Sequence, residues 1–245
     1  MLLAPELEEY IFSALVVKED HMEIVQNVHL IPNVIANPYL IIEPASLTLI
    51  DSGIPGSEKK ILKYIAGLGY EPKYLKRILI THADFDHIGG LAALKKISGA
   101  NVYASKIEAE AIGNGRSSRQ LKPEKLLSKI IYALANRYAK TAPVQVDDFL
   151  VGGQMLAVLG GLQVIETSGH TPGHLSFFAP SANILFVGDS MVSDDNGLYR
   201  SVKDNTWDHT KAIESVRKQA ALGASIVCPG HGPVVRNASS KFTQL

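Results

Sequence analysis

Cysteine is almost missing from this chain: its 245 residues contain one, Cys228. A lone thiol cannot close an internal disulfide, which excludes a disulfide-stapled scaffold. Cys228 lies in the apolar run Ser225-Ile-Val-Cys and reads as a small buried hydrophobe rather than a nucleophile, a usage that suits a reducing cytoplasm. Long hydrophobic runs are missing too. No stretch approaches the roughly 18 consecutive apolar residues that a membrane helix needs, so no spanning segment and no membrane partner are expected. Nor is there an excess of either charge: Lys+Arg and Asp+Glu number 24 each. A net charge of zero gives no field for a polyanion, so nucleic acid is not an expected partner. The opening Met1-Leu-Leu-Ala-Pro has no basic segment and is followed by Glu6, Glu8 and Glu9, unlike a secretory signal. Residues 1–21 read as an N-terminal extension, with Met22, at the head of a strand-like pattern, as an alternative start.

What is present is an ordinary globular balance, 46% hydrophobic and 20% charged, enough for one domain over 1–245 with a sizeable core. Ala36–Glu43 and Ser46–Asp51 read as a hairpin around Glu43-Pro-Ala. Ser57 is placed to cap a helix whose apolar positions are Ile61, Leu62, Ile65 and Leu68. A buried strand over 75–80, helices over 88–97 and 106–112, and a short strand at 102–104 follow. Residues 114–143 break this rhythm as a helical, lid-like insertion. Its helix 123–139 carries the stripe Leu126, Leu127, Ile130, Ile131, Leu134 and Tyr138, suited to packing on the core or to covering a site. Strands return at 155–158, 162–166, 175–178 and 183–187. A helix over 208–222, capped by Asp208 or Thr206, precedes a last strand at 225–228. The class expected is α+β: two β-rich halves with helices outside.

Residues 81–90 read Thr-His-Ala-Asp-Phe-Asp-His-Ile-Gly-Gly. Within six positions the chain sets His82, Asp84, Asp86 and His87, four side chains able to ligate a metal, on a strand-to-helix turn that can aim them at one point. A polar turn whose His82 and Asp86 merely cap the next helix is the plainer account. Four more ligand types follow apolar runs with a glycine close by: Asp51, His170, Asp189 and His231. One alone would be a turn residue, but their recurrence at strand ends makes a two-metal site the economical account.

That order of motifs resembles the metallo-β-lactamase superfamily over nearly the whole chain. The resemblance implies a four-layer αββα sandwich of two mixed sheets with the metals at one edge. It also implies that His82, Asp84 and His170 bind a first metal, that Asp86, His87 and His231 bind a second, and that Asp189 bridges them. Asp51 would orient the cluster from behind. The commonest cluster in the family is His-x-His-x-Asp-His, and Asp84 stands at its second histidine. An anionic ligand there makes the site a weaker Lewis acid and leans it toward harder ions. Two divalent ions are expected, zinc first with iron or manganese as alternatives; a weak first site beside one tightly held metal is the other arrangement open to it.

The implied chemistry is a metal-dependent hydrolase in which a bridging hydroxide is the nucleophile, aimed by Asp86. Tyr199, in the loop 193–205, is the candidate to touch the substrate oxygen. His174 reads as structural; His21, His29 and His209 read as surface or core residues. A small-molecule lactone or thioester is the expected substrate. A phosphodiesterase of the same fold, a di-iron protein and a non-catalytic metal-binding module are the alternatives, and a β-lactamase ranks lower for want of an export signal. Oligomeric state, a homodimer included, stays open.

Overall fold

Short β-branched runs separated by turn residues supply most of the strands. The computed structural model, which describes residues 22–119 and 140–242, gathers them into two mixed sheets. The first holds seven strands in chain order: β1 (Met22–Val25), β2 (Val28–Leu30), β3 (Tyr39–Glu43), β4 (Ser46–Ile50), β5 (Leu75–Leu79), β6 (Asn101–Ala104) and β7 (Asp148–Phe149). β1 to β4 run antiparallel, and the expected hairpin forms with Tyr39 opposite Ile50 and Glu43 opposite Ser46. From β4 onward the pairing is parallel. Parallel neighbours need crossovers, and the helices α1 (Glu58–Gly67), α2 (Phe85–Ile88), α3 (Leu91–Ser98) and α4 (Lys106–Gly113) lie along those connections.

Two local expectations change here. Ser57 precedes α1 with a helical φ of −66° and makes no side-chain cap. The helix expected over 88–97 is divided between α2 and α3 at Gly89-Gly90. A Cβ on Gly89 would stand 2.2 Å from the Pro55 nitrogen, so the chain passes another backbone too closely for a side chain.

The second sheet has the order β15-β14-β11-β10-β9-β8. Its strands are β8 (Met155–Leu156), β9 (Leu162–Glu166), β10 (Leu175–Ala179), β11 (Ile184–Gly188), β14 (Ile226–Pro229) and β15 (Val235–Arg236). A separate ribbon of β12 (Met191–Asp194) and β13 (Gly197–Arg200) replaces most of the loop expected over 193–205, and Tyr199 lies on it. The Asp194 carboxylate closes its tip by accepting from the Asn196 and Gly197 N–H groups at 2.7 and 3.1 Å. Helix α5 (His209–Ala220) begins where expected, with Asp208 accepting from the Lys211 N–H at 3.0 Å.

Strand residues alternate between two cores, as the period of 2 requires. Ile41, Ile50 and Leu79 face inward against Val164, Phe177, Phe186 and Cys228 of the other sheet. Their neighbours Leu40, Leu49 and Ile78 face outward beneath Ile61 and Ile65 of α1 and Leu91 and Leu94 of α3. On the far side Leu185, Val187 and Val227 pack with Val216 of α5. The order is therefore helix, sheet, sheet, helix. No helix among the described residues is long and apolar enough to cross a membrane. The extension 1–21 and the helix 123–139 fall outside the described residues.

Phe186 is fully buried between the sheets and meets the Tyr39 ring edge-to-face at 5.3 Å. Phe186→Ala is expected to lower the unfolding free energy by about 3–5 kcal/mol, read as a lower urea midpoint at constant slope. A loss under about 1 kcal/mol would mean that the sheets do not close on this ring.

Candidate metal centre

Strand direction brings the ligand-type residues together. β10 is antiparallel to both β9 and β11, and β14 is parallel to β11, so β9, β11 and β14 point the same way. His170, Asp189 and His231 follow their carboxyl ends. In the first sheet Asp51 follows β4 and His82 follows β5. The Leu175 N–H donates to the Thr81 carbonyl at 2.9 Å, joining the two sheets at this edge.

Six of the predicted ligands fall into two groups, His82, His170 and Asp189 in one and Asp86, His87 and His231 in the other, with one ligand atom of each within 4.8 Å of the rest. Asp189 spans them: Oδ1 is 3.2 Å from His87 Nε2, and Oδ2 is 3.4 Å from His231 Nε2 and 3.6 Å from His170 Nε2. His231 Nε2 lies 3.3 Å from Asp86 Oδ2. A tetrahedral shell with bonds near 2.0–2.1 Å has ligand-to-ligand edges of about 3.3–3.4 Å, so these separations fit a metal ion. His82 Nε2, His87 Nε2 and Asp189 Oδ1 are buried without a hydrogen-bond partner. Buried polar atoms rarely go unpaired, and three at one point mark the place where a cation would sit. The residues therefore fit the ions that the sequence implied.

Asp84 stands beside the first group, with Oδ2 at 3.3 Å from His170 Nε2 and 3.6 Å from His82 Nε2. The same oxygen pairs with Arg119 Nη2 at 2.6 Å, and Oδ1 accepts from Ser117 Oγ at 2.5 Å. Burial opposes its charge, but hydrogen bonds from His170 and His82, with the Arg119 guanidinium, hold the carboxyl well below the usual range. Burial likewise opposes ionised Asp189, and His87 and His231 outweigh it. His87 is raised well above the ordinary imidazole value, because Asp189 and Asp51 overcome its desolvation.

A layer of fixed partners aims these groups. Asp51, at φ +59°, accepts from the Thr81 N–H at 2.8 Å, from Thr81 Oγ1 at 2.7 Å and from His87 Nδ1 at 2.8 Å. Thr81 Oγ1 is 3.0 Å from His82 Nδ1, and Ser201 Oγ is 3.0 Å from His170 Nδ1. With the Nδ1 sides occupied, the Nε2 sides face the cluster. The Asp189 N–H donates to His174 Nε2 at 3.1 Å, which makes His174 Nδ1 the protonated nitrogen opposite Thr167 Oγ1 at 2.8 Å. His174 thus supports the aspartate from behind. A Cβ on Gly230 would lie 2.3 Å from Asp189 Oδ1, so the His231 loop can come this close only as glycine.

Sequence reasoning missed two anchors. Glu108 on α4 is fully buried and accepts from the Ala83 N–H at 2.8 Å, the Gly173 N–H at 2.9 Å, Thr171 Oγ1 at 2.7 Å and Ser118 Oγ at 2.8 Å. It ties the His82 and His170 loops to one carboxylate. Asn37 and Tyr39 hold the His231 loop: Asn37 Nδ2 donates to the Pro229 and Gly232 carbonyls at 3.0 and 2.7 Å, and the Tyr39 hydroxyl donates to Pro229 at 2.7 Å. Tyr199 is exposed on β13, where its phenol is raised by desolvation and by Asp194. His29 is buried with Nδ1 3.0 Å from the Tyr64 hydroxyl, and His209 is exposed.

The model of the metallo-beta-lactamase superfamily matches residues 31–231. The chain belongs to this superfamily. The superfamily member described as the probable metallo-hydrolase YflN of Bacillus subtilis is 29% identical over 91% of this chain and 91% of its own length. An atrochrysone carboxyl ACP thioesterase of Aspergillus fumigatus is 27% identical over 85% of this chain and 54% of its own. Among solved structures, a metallo-beta-lactamase of Cronobacter sakazakii with a HARLDQ motif is 25% identical, with a TM-score of 0.64 over 85% of this chain and 79% of that one. In this chain His82 to His87 reads HADFDH.

Glu108→Ala would leave the Ala83 and Gly173 N–H groups buried without partners. At roughly 1–3 kcal/mol for each orphaned donor, a loss of about 2–6 kcal/mol in urea unfolding is expected. A second expectation concerns protons. Hydrogen bonds to Asp189 and Asp86 push His231 up to about 9 against its burial. A cation needs the imidazole lone pair, so protons compete with it below that value and cease to above it. Zinc binding at about pH 7.5 is expected to release protons, roughly one of them from His231. Calorimetry in buffers of different ionisation enthalpy counts them, and apparent affinity should climb toward pH 9. Binding with no proton release would contradict these pairings.

Proposed function

We propose that this protein is a metal-dependent hydrolase of a small ester-like bond, a thioester or a lactone, working with two divalent ions, zinc before iron or manganese. The observation that carries the reading is the pair of ligand groups joined through Asp189, with His82 Nε2, His87 Nε2 and Asp189 Oδ1 buried there without a hydrogen-bond partner. Divalent ions held there supply a Lewis acid for the scissile carbonyl and an activated water.

The chain's own groups do the rest. Asp86 keeps an ionised carboxylate: burial opposes it, but the hydrogen bond with His231 and the charge of His87 prevail. It can therefore accept a hydrogen bond from the attacking water and aim it. His231 is the most open ligand, its side chain 38% exposed, so substrate enters from the side of Asp86 and His231. Exposed apolar side chains stand on the ligand-bearing loops or beside them. Phe85 adjoins Asp86; Val202 adjoins Ser201, which touches His170; and the Trp207 N–H donates to the His170 carbonyl. These favour an acyl group over a highly charged substrate, and the chain's zero net charge agrees. The thioesterase among the relatives supports a thioester as the first choice. Tyr199 remains the candidate donor to the substrate oxygen, its raised phenol keeping the proton at neutral pH.

The test is hydrolysis of a panel: acyl thioesters, lactones, bis-nitrophenyl phosphate and a cephalosporin. A thioester or lactone is expected to be cleaved, with Asp189→Ala at least ~100-fold slower. Turnover of the phosphodiester with none of the acyl substrates would reverse the choice of substrate, and an Asp189→Ala protein at full rate would remove the bridging role.

A further inference from the structure

The two ligand groups differ in one respect that the donor atoms alone do not reveal: a guanidinium sits on one of them. Arg119 Nη2 is 2.6 Å from Asp84 Oδ2, the oxygen that also faces His170 and His82. The cation is anchored from several sides. Its backbone N–H donates to Ser117 Oγ at 3.2 Å, and that hydroxyl in turn donates to Asp84 Oδ1; its Nη1 donates to the Asn205 carbonyl. The side chain is 17% exposed, so water screens it little. In the other group the Asp86 carboxylate meets His231, and the charges acting on it come from His87, Asp189 and His82, all ligand-type residues.

We propose that Arg119 is a positioning residue that acts through Asp84 to make the two metal sites unequal. It fixes the direction of the carboxylate, and it places a full positive charge on the oxygen a cation would use. The site of His82, Asp84 and His170 is then the weak, exchangeable one, and that of Asp86, His87 and His231 is the tight one. Charge balance runs the same way: a carboxylate in place of a neutral imidazole adds one negative charge, and the guanidinium cancels it toward an incoming ion. Even at the dielectric of water, a unit charge a few ångströms from a divalent ion changes affinity by roughly tenfold, and burial enlarges that. The inference rests on the hydrolase reading, in which both groups take a metal.

Competition between the protein and a chromophoric chelator for zinc separates the two steps without any assay of activity. The native protein should bind zinc in two unequal steps. Arg119→Met should tighten the weaker step by about tenfold or more and leave the tighter one within about twofold. Arg119→Lys restores the charge and should return the weak step toward its native affinity. Arg119→Gln, neutral but able to keep the contact with Asn205, serves should the methionine variant fail to fold. In Asp86→Asn the tight step should be the one lost. Equal steps in the native protein, or a weak step that stays the same or weakens further without the charge, would overturn the assignment. Failure of the native protein to bind zinc, cobalt or manganese at all would instead overturn the hydrolase reading itself.

Discussion

Everything at the cluster hangs on one carboxylate that never points into it. Asp51 takes a left-handed backbone conformation, which aspartate tolerates better than most residues. From there it accepts three hydrogen bonds, two from Thr81 and one from His87. The first two lock the end of β4 to the end of β5; the third sets the tautomer and tilt of a ligand. Because Thr81 also touches His82 and accepts from Leu175 of the other sheet, the same joint aligns the sheets. A polar residue with both carboxylate oxygens engaged can serve as such a joint; left unsatisfied in that interior it would be destabilising.

The cost of gathering so many polar atoms falls on the ligands themselves. Burial opposes the charge on Asp84, Asp86, Asp189 and His87, and the charged and hydrogen-bonding partners around each reverse it. Replacement of one member therefore does more than remove a contact, because it exposes the desolvation that the others were offsetting. Glu108 works by a different balance, with two backbone N–H groups and two hydroxyls in place of any cation. It is a mechanical tie between loops, and it leaves the net charge of the centre to the ligands and Arg119.

The ligand-type residues that the fold gathers were legible because they follow apolar runs with glycine close by, a local pattern that recurs along the chain. Most strands of both sheets were legible from their apolar runs, but the two-residue β7 and β15 were not. What escaped was non-local. Glu108 looks like a solvated helical residue in Lys-Ile-Glu-Ala-Glu, and nothing local says that Thr171 and Gly173 will arrive to claim it. Arg119 sits in a loop that reads as polar filler until Asp84 is folded against it. The β12–β13 ribbon was the avoidable omission: Asp195-Asn196-Gly197 between two short β-prone runs is hairpin chemistry. The break between α2 and α3 was hidden because it answers to the distant backbone of Pro55 rather than to any sequence near Gly89.

The stitching of Asn37 and Tyr39 to Pro229 and Gly232 joins residues some 190 positions apart. Synthesis delivers His82 to His87 well before His231. A nascent or truncated chain can thus offer at most a loose partial set of ligands, and the full set exists only after the first sheet has received the returning end of the second. In the proposed centre, retention of metal would report on completed assembly, a signature that a half-folded copy of this protein would lack.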